Sequence, residues 1–263
     1  MLQEKLIKQA KVDQIEVFIY EDEKSMAEAD AKAITEMIKG LGEEKEEINI
    51  VFAPAASHYA VYEILFTFAD VPWHKVNAFH LDEYIGLPDD APERIVNFAY
   101  KHIFSKASFN NIFTMRSNVT DVEAECQRYA NLLEQYPLDI AVIGIGQNGH
   151  LAYNEPHVSD FNDPYKVKKI NLDQKSINQA SEKDGIFKCE DFVPKVAMTM
   201  TVPAIVSAKH IFLAVPQKHK KDAVKETLLG DVINTNPASI LRRHRSVKLF
   251  LDKDSSKEIL NEI

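Results

Sequence analysis

The stretch LDIAVIGIGQNGHLAYNEP, residues 138–156, is the part of the chain that decides the fold. Residues 138–143 are a short, apolar and partly β-branched run, which predicts a buried strand. The strand ends in a loop that contains Gly144, Gly146 and Gly149. Glycines at this density let the backbone turn sharply and approach a ligand closely. Because open α/β sheets bind ligands at the carboxyl ends of their strands, we expect a binding site here.

The same loop carries side chains that can exchange protons or hydrogen-bond a ligand. His150 follows the glycines, Asn148 lies between them, and Glu155 comes five residues after the histidine, between Asn154 and Pro156. An imidazole, an amide and a carboxylate therefore follow one strand end. A structural histidine and a simple turn at the Asn-Glu-Pro sequence are the alternatives.

Outside this stretch, apolar runs alternate with helical patterns, which favours a largely parallel sheet. We predict one α/β catalytic domain over residues 1–263, with a three-layer, Rossmann-like and largely parallel sheet flanked by helices. The polar segment 158–192 is predicted to be a lid inserted in this domain. The expected strands are 15–20, 48–53, 76–79, one near 112, 138–143, 210–215 and 247–251. The expected helices are 23–41 (ending at Gly40 and Gly42), one capped by Ser57, one through 98–104, one around Cys126, 220–229 and a short C-terminal helix.

Composition excludes several classes of protein. The chain has 40 acidic and 31 Lys or Arg residues, and a net charge of −9 disfavours a nucleic-acid partner. No apolar run is long enough to cross a bilayer, so no membrane association is predicted. The charged residues near Met1 are unlike a signal peptide, which leads us to expect a cytoplasmic location.

A second polar group follows the strand predicted at 76–79, and comprises Asp82, Glu83 and Tyr84. If the two strands are near neighbours, this group meets the loop with His150 in one cleft, where carboxylates and an imidazole could move protons between carbon and oxygen atoms. A solvated turn is the alternative. His80 and Glu83 are the one suggestive metal-binding pair, but residues three apart at a strand end point to opposite faces, so no metal site is predicted.

Two motifs resemble the glucosamine-6-phosphate deaminase (isomerase) family, which is related to the 6-phosphogluconolactonases. They are LDEYIGLP at 81–88 and GIGQNGHLAYNEP at 144–156, supported by AMTMTVPAIVSAKHIFLAV at 197–215 and PASILRRH at 237–244. The likeness covers roughly residues 48–251. The lactonases usually have DER in the first motif and lack NEP in the second, so this sequence resembles the deaminases more than the lactonases.

The resemblance implies a reaction and roles for four residues. Family members open the ring of glucosamine 6-phosphate, move a proton from carbon 2 to carbon 1, and release ammonia and fructose 6-phosphate. Asp82 matches the family's base, which moves that proton, and His150 matches the acid and base that opens the ring. Glu155 matches the carboxylate that orients this histidine, and Asn148 matches a positioning residue. No metal or organic cofactor is implied, and a sugar phosphate is the expected partner. Family members are often oligomeric, which makes a homo-oligomer an open expectation.

The phosphate-binding positions depart from the family pattern. The glycine-rich TGxTP turn is replaced by Pro-Ala-Ala-Ser-His at 54–58, in which Ser57 stands for the family threonine. The phosphate lysine falls among Lys218, Lys220 and Lys221, and the lid arginine has only Lys183 as a loose counterpart. The expected substrate-binding residues are therefore Ser57, Glu83, Tyr84, Gly146, Gly149, Lys218 and Lys220. An aldose–ketose isomerase or lactonase acting on another sugar phosphate, and a non-catalytic sugar-phosphate sensor, stay open as alternatives.

Overall fold

The computed structural model describes residues 5–181 and 187–263. Its strands are β1 (Leu6–Val12), β2 (Ile15–Tyr20), β3 (Ile48–Phe52), β4 (Val76–His80), β5 (Asp82–Tyr84), β6 (Asn111–Ile112), β7 (Ile140–Ile143), β8 (Val167–Asn171), β9 (Val196–Met200), β10 (His210–Val215) and β11 (Val247–Asp252). Its helices are α1 (Glu23–Glu44), α2 (Tyr59–Leu65), α3 (Ile95–Ala99), α4 (Val122–Gln135), α5 (Gln174–Ser181), α6 (Val202–Val206) and α7 (Lys221–Leu229). A π-helical turn, Tyr100–Phe104, continues α3.

The main sheet has eight strands in the order β1-β2-β11-β10-β7-β3-β4-β6. All neighbouring pairs are parallel except β1 with β2, which confirms the predicted largely parallel sheet. Its central strands are mostly apolar because both faces are buried. Along β3, for example, Val51 packs into one apolar cluster and Ile50 and Phe52 pack into the other. Helices thus cover both faces, as predicted for a three-layer α/β fold.

The order of the strands places a crevice near the middle of the sheet. From β3 the chain moves outward to β4 and β6, and it then returns to form β7 on the other side of β3. The carboxyl ends of β3 and β7 therefore lie where the direction of winding reverses, which is where open α/β sheets bind ligands. The loops after β4 and β10 flank this point because these strands are the next neighbours on either side.

A second sheet, in the order β5-β9-β8, has three antiparallel strands. Asp82, Glu83 and Tyr84 form β5, so the solvated-turn alternative for these residues is wrong. The segment 158–192 contributes β8 and α5, and Ile177 of α5 packs in an apolar cluster with Tyr84. Part of the segment is thus built into the second sheet, and whether the rest moves as a lid stays a prediction. Lys183 lies outside the described residues.

Several expected boundaries are wrong. Helix α1 continues through Gly40 and Gly42 to Glu44, because burial of its apolar face outweighs the low helix propensity of glycine. Ser57 does not cap a helix: it lies in the 3-10 turn Ala56–His58, and α2 begins after His58 without a side-chain cap. The sequence pattern misses strand β1, since as an edge strand it is mostly exposed and has a mixed sequence. The last residues form successive turns instead of a helix.

Within the described part of the chain, no helix combines the length and the apolar character that a membrane span requires.

Candidate active site

The candidate active site lies at the carboxyl ends of β3 and β7, and hydrogen bonds join the loop after β3 to the last residues of β7. The amide of Ala53 donates to the carbonyl of Val142 at 2.8 Å. Nε2 of the buried His58 donates to the carbonyl of Ile143 at 3.0 Å. A Cβ atom on Gly144 would lie only 2.8 Å from the His58 ring, so the glycine lets the histidine pack against the strand end. His58 therefore holds the loop after β3 against the end of β7.

Glycines shape the loop that carries His150. The Gly146 amide donates to the His150 carbonyl at 2.9 Å, and a Cβ on Gly146 would overlap the imidazole ring. Gly149 has a φ of +80°, and a Cβ there would overlap Oδ1 of Asn236. The loop thus turns back on itself, and the His150 ring lies directly on the backbone of Gly146.

The His150 ring is oriented by two acceptors. Its Nδ1 lies 2.7 Å from Oδ1 of Asn148 and 3.3 Å from Oε1 of Glu155. Both neighbours are acceptors, because Asn148 uses its Nδ2 to donate to Oε2 of Glu155 at 2.7 Å. Nδ1 is therefore the protonated nitrogen of the neutral ring, and Nε2 is left to accept or donate a proton.

Glu155 is a fully buried carboxylate held by three side chains. Burial by itself raises its pKa, but hydrogen bonds from His150, Ser176 and Asn148 together bring the pKa down to about 2. The group is therefore charged near neutral pH and favours a proton on His150. Ser176 donates to Oε1 from helix α5, and sequence reasoning misses it because a serine in a polar helix has no signature of such a contact.

Asp82 begins β5 and is linked to the His150 loop through the second sheet. It is the register partner of Thr199 in β9, and the Thr199 hydroxyl accepts the amide of Tyr153 at 3.1 Å. Burial is the main reason that the pKa of Tyr153 is well above its usual value, and the negative charge of Asp82 adds a smaller contribution. Burial, together with the charge of Glu83, raises the pKa of Asp82 to about 8. The structure thus brings Asp82 to the side of the loop that carries His150 and Glu155.

Glu83 and Tyr84 are directed into the protein. The buried Glu83 carboxylate accepts backbone amides of Tyr84 at 2.9 Å, Ile95 at 3.0 Å and Val96 at 3.1 Å. The Tyr84 ring packs against the Tyr153 ring, with centroids 5.7 Å apart, and burial raises the pKa of Tyr84 to about 12. These contacts favour a supporting role for both residues, beside Asp82, over the substrate contact expected from the sequence.

Ser57 and His58 lie in the loop after β3, and Lys220 lies in the loop after β10, close enough for its charge to act on His58. The Ser57 hydroxyl lies 3.2 Å from Nδ1 of His58. Burial, with a smaller contribution from the charge of Lys220, lowers the pKa of His58 to about 4. Lys220 is only 7% exposed, and burial lowers its pKa to about 8. Its ammonium group has no hydrogen-bond or ion-pair partner among the residues with described positions.

The other two candidate lysines lie elsewhere. Lys218 is exposed and lines a surface depression with Glu23 and Asp252, at the ends of other strands. Lys221 forms an ion pair with Glu258, with Nζ 2.6 Å from Oε1. Among the three candidate lysines, the placement of the side chains therefore favours Lys220 as the one that would contact the phosphate of a substrate.

No group of three or more His, Cys, Asp or Glu side chains within residues 5–181 and 187–263 is arranged to hold a metal ion.

Comparison with known proteins identifies the family of the chain. The family model for glucosamine-6-phosphate isomerases/6-phosphogluconolactonase matches residues 21–250. The glucosamine-6-phosphate deaminase of Listeria innocua is 37% identical over 188 residues, which cover 72% of this chain and 78% of the relative. The deaminase of Oenococcus oeni is 35% identical over 201 residues, covering 76% of this chain and 82% of the relative.

Solved structures show the same likeness. A monomeric glucosamine-6-phosphate deaminase superposes with a TM-score of 0.84 and 27% identity, covering 92% of this chain and 98% of the other. The 6-phosphogluconolactonase of Thermotoga maritima shares the fold, with a TM-score of 0.74 and 20% identity over 91% of this chain and all of the other. Together, the family match, the relatives and the fold show that the chain belongs to the glucosamine-6-phosphate isomerase/6-phosphogluconolactonase family.

Proposed function

We propose that the protein is a glucosamine-6-phosphate deaminase, which converts glucosamine 6-phosphate, or a close relative, and water to fructose 6-phosphate and ammonia. The observation that carries this proposal is the His150–Asn148–Glu155 arrangement at the end of β7, with Asp82 linked to it across β5 and β9. This arrangement combines an imidazole that can exchange a proton with the ring oxygen of the sugar and a carboxylate that can move a proton between neighbouring carbon atoms.

In the proposed mechanism, His150 opens the sugar ring. Nε2 takes the proton of the hydroxyl on carbon 1 and returns a proton to the ring oxygen, whose bond to carbon 1 breaks. Glu155, charged near neutral pH, stabilises the imidazolium formed between the two transfers. Asn148 holds both groups through its amide, so that the imidazole keeps one orientation throughout.

Asp82 then carries out the isomerisation. Its carboxylate removes the proton from carbon 2 and delivers it to carbon 1, while a proton passes from the ammonium group to the oxygen on carbon 1, so that the aldehyde at carbon 1 becomes a hydroxymethyl group and an imine forms at carbon 2. Water adds to the resulting imine and ammonia leaves, giving the ketose phosphate. Because the pKa of Asp82 is raised to about 8 in the free protein, its basic form accumulates as the pH rises. We therefore expect kcat/KM to increase as the pH rises through about 8.

The loop at 54–58 supports a second candidate. It has none of the glycines that let the family's loop approach a phosphate, and it instead offers Ser57 and the nearby buried Lys220. An aldose–ketose isomerase or lactonase acting on another sugar phosphate would accommodate this change, as would a sugar-phosphate sensor without activity. The lid role of 158–192, a cytoplasmic location and a homo-oligomer likewise stay predictions.

The test is release of ammonia from glucosamine 6-phosphate, galactosamine 6-phosphate and other aminosugar phosphates, run beside isomerase and lactonase assays. The Asp82→Asn variant should lose turnover by at least about 1000-fold while retaining ligand binding, because it preserves the shape of the side chain but removes the proton acceptor. Asp90→Asn, an exposed position in the following loop, should behave like the wild type. Absence of ammonia from every aminosugar phosphate would refute the deaminase proposal.

A further inference from the structure

One contact of Glu155 comes from outside its own loop. The Ser176 hydroxyl donates to Oε1 of Glu155, across 21 residues of sequence. The other side-chain donors to this carboxylate among residues 5–181 and 187–263, Asn148 and His150, belong to the loop after β7. Ser176 is therefore the connection through which a separate element of the fold acts on the carboxylate that orients His150.

Ser176 is held in place from two sides. Its amide donates to Oδ1 of Asp173 at 2.8 Å, which places it in the first turn of α5. The next residue, Ile177, packs with Tyr84 and Ile170 in the apolar cluster of the second sheet. The serine is only 9% exposed. The hydroxyl can therefore reach Glu155 only while α5 is docked against that cluster.

The carboxylate needs this donor to keep one orientation. Oε2 is bonded to Asn148, while Oε1 faces both His150 and Ser176. A hydrogen bond between a hydroxyl and a buried carboxylate is stronger than one between neutral groups, and its loss leaves a buried acceptor incompletely satisfied. Without Ser176, the Glu155 side chain gains freedom to turn away from Nδ1 of His150.

We propose that Ser176 is a positioning residue, which couples the docking of helix α5 to the alignment of the Glu155–His150 pair. With α5 in place, the carboxylate faces the imidazole and the ring-opening group is assembled. With α5 displaced, Glu155 keeps its contact with Asn148 but loses the donor at Oε1, so that the carboxylate is free to turn away from Nδ1 of His150. This inference rests on the proposed function for the role of His150, but the contact itself can be tested without substrate.

The kinetic test compares two serine-to-alanine changes on one helix. Ser176→Ala removes the donor to Glu155, whereas Ser181→Ala removes a hydroxyl that bonds only to helix carbonyls among its described contacts. We expect kcat to fall by about 10- to 100-fold in the first variant, with KM changed less than about twofold, and no change in the second. Ser176→Thr, which keeps the hydroxyl, should recover most of the activity. Equal kcat values for the two alanine variants would overturn the proposal.

The substrate-free test uses the reciprocity of the coupling. If the hydrogen bond from Ser176 to the charged Glu155 carboxylate helps to hold α5 in place, then Glu155→Gln, which leaves only a weaker neutral acceptor, must weaken the docking of α5. We expect the backbone amides of α5 to exchange with deuterium several-fold faster in Glu155→Gln than in wild type, and to be unaffected in Asp90→Asn. Adding Ser176→Ala to Glu155→Gln should then cause little further change, as a double-mutant cycle requires.

The two tests separate this inference from the proposed function. Unchanged exchange of α5 in Glu155→Gln would refute the coupling, whatever reaction the protein catalyses. Faster exchange together with no ammonia from any aminosugar phosphate would support the coupling while refuting the deaminase proposal.

Discussion

At the scale of single residues, the position of His150 depends on the absence of a Cβ atom at Gly146. The imidazole of His150 occupies the space that a Cβ on Gly146 would take, whereas a Cβ on Gly40, inside α1, would meet no atom within 4 Å. The two glycines therefore have opposite expected responses to the same substitution. One is required by a contact, and the other only lowers the stability of a helix.

We predict that Gly146→Ala lowers kcat by at least about 100-fold, because the imidazole must shift by an ångström or more from its position for proton transfer. Circular dichroism should show an unchanged fold. Gly40→Ala should keep full activity and raise the free energy of unfolding by about 0.5–1 kcal/mol in urea titrations. Near-normal kcat in Gly146→Ala would mean that the imidazole does not act from its position on Gly146.

Asp30 offers a second residue-scale prediction, which concerns stability instead of catalysis. It is fully buried in α1, its carboxylate oxygens have no hydrogen-bond partner among the described residues, and burial raises its pKa to about 8. The folded protein therefore keeps the proton, while the unfolded chain loses it above the ordinary aspartate pKa of 3.8. Stability consequently falls as the pH rises between these two pKa values, and the cost stays constant above about 8.

Asp30→Asn should remove this dependence, since an amide does not ionise. We expect the variant and the wild type to have similar free energies of unfolding near pH 4, and the variant to be more stable by several kcal/mol at pH 8 (~1.4 kcal/mol per unit of pKa shift). Urea titrations at pH 4, 6 and 8 measure the difference. A difference that is the same at all three values would show that Asp30 is not held in its neutral form.

At the scale of elements, Glu83 connects two short structures that would be weak alone. Strand β5 has three residues and α3 has five, and the Glu83 carboxylate joins them by accepting the amides of Ile95 and Val96 at the first turn of α3. Amides in the first turn have no partners within the helix, so a side-chain acceptor is required. The carboxylate thereby positions β5, and with it Asp82.

We predict that Glu83→Gln destabilises the protein by about 2–4 kcal/mol, because an amide presents one acceptor oxygen and an unwanted donor to three buried backbone amides. The urea midpoint should decrease accordingly, and kcat should also fall because Asp82 loses its support. Glu93→Gln, a nearby glutamate that is only partly buried, is the control and should remain within about 0.5 kcal/mol of wild type. An equal effect of the two substitutions would contradict this role of Glu83.

At the scale of the whole molecule, the site exists because the winding of the sheet reverses between β3 and β7. That reversal brings the loops after β3, β4, β7 and β10 to one place, although they are distributed from residue 53 to residue 220. A sugar phosphate bound there would contact several of these loops at once. Binding should therefore stabilise the whole domain against unfolding.

We expect glucosamine 6-phosphate at about 100 times its Kd to raise the Tm by roughly 5–10 °C. Lys220→Met should raise the Tm of the free protein, because it removes a buried charge that no described residue pairs with, yet reduce the shift caused by ligand. Lys218→Met, at an exposed position, should leave both values unchanged. If the ligand raises the Tm of Lys220→Met as much as that of the wild type, this lysine is not the cation that binds the phosphate.

The sequence by itself determined the class of fold and the central loop. Buried strands such as β7 show as continuous apolar runs, and the glycines, His150 and Glu155 lie within 12 residues of one another, so local pattern is sufficient to predict them. The motifs around Asp82 and His150 likewise indicate the family without reference to the fold.

The contacts that support the site from distant parts of the sequence could be identified only in the folded structure. It separated Lys220 from Lys218, directed Glu83 towards the start of α3, and brought Ser176 to Glu155. None of these placements has a local signature. Glu83 and Ser176 contact residues 12 and 21 positions away in the sequence, and the burial of Lys220, in contrast to the exposed Lys218, depends on how their loop packs. Periodicity reports which face of an element is buried, whereas the partner across that face is set by the order of the strands and the packing of the helices.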